Sequence, residues 1–94
     1  MKAKKTIILA AKDVAKIIKD LSLLIVSADH LGTAYYNQPD QLAAETEKYF
    51  QKMNAFKLLA EIRGVLSEAY ESQSSKADVE RLENEAEKLP YWKE

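Results

Sequence analysis

From Ile7 to Tyr35 apolar or small residues return every three or four positions, and no proline interrupts them. Ile7, Val14, Leu21, Ala28 and Tyr35 form one line of the repeat. Ala10, Ile17, Leu24 and Leu31 form a second, and Ala11, Ile18, Ile25 and Gly32 a third. Three positions in every seven make a stripe as wide as a helix facing a bundle core requires. Lys12, Asp13, Lys16, Lys19 and Asp20 fall on the other side. The pattern predicts a single helix from about Lys5 to Tyr36.

The rest of the chain agrees with a helical plan. Two glycines and two prolines in 94 residues leave almost nothing for the tight turns that β-hairpins need repeatedly. The expected class is all-α: a long antiparallel helical hairpin plus a shorter third helix, in one domain spanning residues 1–94. Charged residues at 31% and apolar ones at 47% belong to a folded globular chain and not to a disordered one.

"NQPD" (37–40) stops the first helix and starts the next, because Pro39 disfavours helical geometry at Gln38 and suits a first helical position. Asp40 adds negative charge where the helix dipole favours it. A second helix is expected over 39–71, on a stripe that includes Leu42, Tyr49, Leu59 and Leu66. Tyr49 and Phe56 fall on this stripe and are expected in the core. Met53, Phe56, Leu59 and Ile62 follow one another in steps of three. That slip rotates the buried face and predicts overwinding or a bend near Asn54 to Leu59. "SQSSKAD" (72–78) is the linker, with Ser75 and Asp78 in the arrangement of a capping box. The third helix is expected over 75–89, on a seam of Val79, Leu82, Ala86 and Leu89, ended by Pro90.

Length then becomes a constraint. A first helix of this extent is about 47 Å long at ~1.5 Å per residue. A compact chain of this size has a radius of gyration near ~12 Å and hence a diameter near ~32 Å. Either the first helix breaks, around Ser27 to Gly32, or the chain pairs with a second copy. Between Asp20 and Asp29 lie eight uncharged residues, six of them apolar. Leu23 and Val26 stand off the main stripe, so their exposure would make an apolar patch beside the core face. The favoured expectation is a homodimer, pairing as a dimeric four-helix-type bundle. The interface residues expected are Leu23 and Val26, with Tyr36 and Trp92 as aromatic anchors. Trp92 folding back over the end of the bundle is the competing reading.

Little in the sequence points to chemistry. With no cysteine there is neither a disulfide nor a thiolate metal site. His30, the one histidine, has Val26 and Ala34 four residues either side, so no helical ligand pair exists. Glu45 and Glu47, and the row Glu80, Glu83, Glu87, lack the Glu-x-x-His partners of helical di-metal sites and read as solvated faces. Ser72, Ser74 and Ser75 suit turns and caps. No catalytic, cofactor-binding or metal residue is assigned, and no enzyme activity or cofactor is expected.

The expected plan resembles that of the all-helical chorismate mutases, which also build intertwined dimers from a long helix, a partner helix and a shorter one. That resemblance would imply arginines binding a dicarboxylate, one of them on the first helix. Here the first helix has none, and the chain has only Arg63 and Arg81. The likeness is therefore one of architecture alone. The secreted helical hairpins with a Trp-x-Gly turn do not fit either, since the only tryptophan is Trp92 and the turn is Asn-Gln-Pro-Asp.

Residues 1–20 carry six lysines against two aspartates, while residues 58–94 carry five basic against nine acidic groups. Side by side these stretches neutralise one another, and the formal net charge of −1 gives no general field for nucleic acid. The apolar run Ile7 to Ala11 is too short for the ~7–15-residue core of a signal peptide, and no run of ~20 apolar residues could span a membrane. The expectation is a cytoplasmic, non-enzymatic protein acting through an unidentified protein partner: an adaptor, a chaperone, or an immunity- or antitoxin-like neutralising partner. The alternative is a nucleic-acid-binding accessory protein using Lys2, Lys4, Lys5, Lys12, Lys16 and Lys19.

Overall fold

A computed structural model describes residues 5–93. Helix α1 spans Ala11–Ala34, α2 Pro39–Lys52, α3 Ala55–Gln73 and α4 Lys76–Glu87. Among the described residues no strand occurs.

The first helix is shorter than its periodicity predicts. It begins at Ala11 and not at Lys5, and Lys5 to Ala10 run without helical structure. Ala10 at the N-cap is extended and has no side chain with which to cap the helix. The preceding residues are held from a distance instead. Ile8 exchanges two main-chain hydrogen bonds with the Gln73 side chain, and Lys5 pairs with Asp78 at 2.8 Å. The Ile8 N–H and carbonyl are groups that a longer helix would have turned to its own ladder. From Ala11 onward α1 continues without a break through Ser27 to Gly32, for about 36 Å.

The second expected helix is two. Pro39 occupies the first turn of α2 behind Gln38, as its fixed φ favours. Met53 and Asn54 then interrupt the helix, and Asn54 adopts the left-handed conformation at φ 49°, ψ 46°. Asparagine is among the few residues with a side chain that enter this region readily. The break resets the phase that the three-residue steps had disturbed. Ala55 becomes fully buried, while Phe56, expected in the core, faces outward at 73% exposure. Its ring still leans on Phe50, with centroids 5.1 Å apart.

Ser75 caps α4, its hydroxyl accepting from the Asp78 N–H at 3.1 Å. The helix stops at Glu87, so Leu89 of the expected seam lies beyond it and is exposed. Trp92 does not cover the end of the molecule; it is 84% exposed.

Helix α1 touches both α2 and α3, which touch each other, whereas α3 is the one helix that α4 touches, its start being held also by Lys5. Contacts to α1 and the segment before it run backwards along the chain: Leu24 meets Tyr49, Lys16 meets Glu61, and Ile8 meets Gln73. Layers only two helices thick shield little. Among the described residues the buried set is Leu24, Ala55 and Ile62, with Ile17, Leu21, Tyr49, Phe50 and Leu58 packed round it. The radius of gyration is 17.4 Å and the long dimension 54 Å, against the ~12 Å radius of a compact chain of this length. The chain exposes 8228 Å², where a compact monomer of its mass would expose about 5500 Å².

Candidate functional site

At about 100° per residue, Ile17, Leu24 and Leu31 share one edge of α1 and turn inward. The next edge carries Val14, Ile18 and Ile25, and it is open to solvent: Ile18 is 58% and Ile25 63% exposed. On α3 the same division recurs. Ile62 and Ala55 face inward, while Phe56, Leu59 and Leu66 stand exposed beside them.

These two open edges meet. An apolar groove of about 240 Å³ is lined by Leu21, Leu24, Ile25 and Ala28 of α1, Tyr49 and Phe50 of α2, and Ala55 and Leu59 of α3. Tyr49 is fixed there by donating its hydroxyl hydrogen to the Leu24 carbonyl at 3.2 Å, and its ring meets Phe50 edge-on at 5.7 Å. No charged side chain lines the groove. It offers apolar contact, with the Tyr49 hydroxyl already engaged by the Leu24 carbonyl.

A second groove between α1 and α3 is charged. Asp13, Lys16, Asp20, Glu61 and Glu68 surround Ile17, Ile62 and Val65. Lys16 donates to Asp20 at 2.7 Å and approaches Glu61 at 3.7 Å. The hydrogen bond to Asp20 is the main reason that the Lys16 ammonium titrates above its usual value, against some desolvation. Such exposed pairs align elements more than they stabilise them.

The third opening, about 600 Å³, lies between α3 and α4, where Val79, Leu82 and Ala86 face Arg63, Ser67 and Glu71. Helix α4 covers its own seam incompletely, and Leu82 remains 46% exposed. At the start of α4 Asp78 accepts both Lys5 hydrogen bonds, and Arg81 lies 3.4 Å away. The bonds from Lys5, then that from Ser75, hold the Asp78 carboxyl below the ordinary carboxylate range.

The four interface residues expected from the sequence, Leu23, Val26, Tyr36 and Trp92, are all exposed. They are not brought together in any of these openings. Val26 stands about 100° and Leu23 about 160° round α1 from Ile25. Tyr36 is in the turn before α2, and Trp92 follows α4. The open face instead uses Val14, Ile18 and Ile25, which the sequence pattern had assigned to the inward stripe. His30 and the carboxylates Glu80, Glu83 and Glu87 are exposed along their helices. Lys2 and Lys4 lie outside the described residues. No helix among those residues is long and apolar enough to cross a membrane.

Compared with models of known families, with curated proteins and with solved structures, the chain matches none.

Proposed function

We propose that this is a non-enzymatic helical protein that works by contact with other protein surfaces. It acts first as a homodimer in which two long antiparallel hairpins associate into a four-helix-type bundle. An adaptor, a chaperone, or a neutralising partner of the immunity or antitoxin kind fits this reading, in a cytoplasmic setting. The observation that carries it is the open apolar face of α1 and α3 on a helix that does not break. The surface in excess of a compact monomer is about 2700 Å² per chain, or about 5400 Å² for a pair, at the upper end of the ~2000–5000 Å² that obligate dimers bury over both partners.

The nucleic-acid reading finds less support. Lys5 and Lys16 are engaged with Asp78, Asp20 and Glu61, which leaves fewer cations for phosphates.

Ile25→Glu tests the proposal. On a surface that really faces water such a change shifts stability by no more than about 0.5 kcal/mol. On a surface covered by another copy it forfeits the burial of an isoleucine, about 2–3 kcal/mol, and lowers the urea midpoint in a concentration-dependent way. An unchanged midpoint at every concentration would remove the support for association through this face.

A further inference from the structure

We propose that the face is closed by α1 of a second copy lying antiparallel along α1, in one defined register. This inference rests on the homodimer reading above and adds which surface forms the dimer and in which direction.

The outward edge of α1 reads Ala11, Val14, Ile18, Leu21, Ile25, Ala28, in alternating steps of three and four. That is the spacing of a coiled-coil seam. It sits beside the inward line Ile17, Leu24, Leu31, so one helix presents two apolar edges, and its own chain covers the outer one only in part, at Leu21, leaving Ile18 and Ile25 exposed. The outer edge also matches itself reversed. When two copies run in opposite directions about a point between Lys19 and Asp20, Ile18 lies beside the partner's Leu21 and Val14 beside the partner's Ile25. Ala11 then lies beside the partner's Ala28. Every layer is apolar, and the large residues fall at the centre with the small ones at the ends, so each copy fills what the other leaves open.

Three further observations favour this arrangement. The partner's Ile18, Val14 and Ala11 fall over the groove bounded by Leu21, Ile25, Ala28 and Leu59, a cleft without charged lining. The flank of the seam carries Ala15, Ser22 and Asp29, two small residues and one charge, which allow close approach. In the first half of α1 Lys16 is engaged by Asp20 and Glu61, and Lys12 and Lys19 leave that half with a small positive excess. A parallel pair would set the two positive halves and the two aligned helix dipoles side by side, whereas an antiparallel pair separates the charges and opposes the dipoles favourably. Self-matching of one patch is what a two-fold interface requires.

The chain has no cysteine, so single cysteines report contacts cleanly. The probe is disulfide formation under mild oxidation in the full chain. Val14→Cys mixed with Ile25→Cys should give a covalent dimer, and neither variant alone should. Ile18→Cys mixed with Leu21→Cys is the second pair, at a different depth in the seam. Efficient self-linking of Ile25→Cys alone would overturn the antiparallel register. Linking through Leu23→Cys or Val26→Cys, with both mixed pairs silent, would place the interface on the other side of α1. Either result, found with a native mass of two chains, sinks this inference and leaves the homodimer standing. A native mass of one chain sinks both.

Discussion

Gln73 holds Ile8 by its main chain. Its side-chain Nε2 donates to the Ile8 carbonyl at 2.6 Å, and the Ile8 N–H donates to its Oε1 at 2.7 Å. A side-chain amide here does what a neighbouring strand would do, and it keeps residues 5–10 from joining α1. Removing it in Gln73→Ala should free this segment locally. Exchange of the Ile8 amide hydrogen should rise about five-fold, the equivalent of ~1 kcal/mol, with Leu24 and Ile62 unaffected. Unchanged exchange at Ile8 would mean that the pair does not hold the segment.

The Lys5–Asp78 pair adds a pH dependence. The folded-state pKa of Asp78 is lowered, chiefly by the Lys5 hydrogen bonds. Its contribution is therefore fully present above the unfolded value near ~3.9 and is lost as pH falls through the lower folded value. Wild type and Asp78→Asn should differ by a constant amount above about pH 5 and converge below that window. A stability difference that grows on acidification would contradict this assignment.

Asn54 offers a backbone test. At φ 49° glycine fits without strain, and asparagine nearly so. Asn54→Gly should leave the urea midpoint close to wild type, whereas Asn54→Val should cost about 1–2 kcal/mol. Equal effects would mean that the chain joins α2 and α3 in another conformation.

The sequence is legible where the cause is local. Pro39 starts α2, Ser75 caps α4, and the steps from Met53 to Ile62 mark where the helix is disturbed, because each acts within a turn or two of itself. The start of α1 was not legible. Its periodicity continues back to Ile7, and what overrides it are Gln73 and Asp78, 65 and 73 residues away. Phe56 lies outside the core for a related reason, since one left-handed residue at Asn54 turns everything after it. The open face was half legible. Periodicity marks Ile18 and Ile25 as residues needing cover, but not whether their own chain or another surface supplies it, and Leu23 and Val26, which stand off the stripe, give the more visible signal.

Sedimentation equilibrium of the intact chain, over a wide range of concentration, decides whether two copies associate. The expected mass is twice the 10.7 kDa of one chain, with dissociation only on strong dilution. A mass of one chain throughout would show that Ile18, Ile25 and Leu59 remain in water, and association through that face would be refuted.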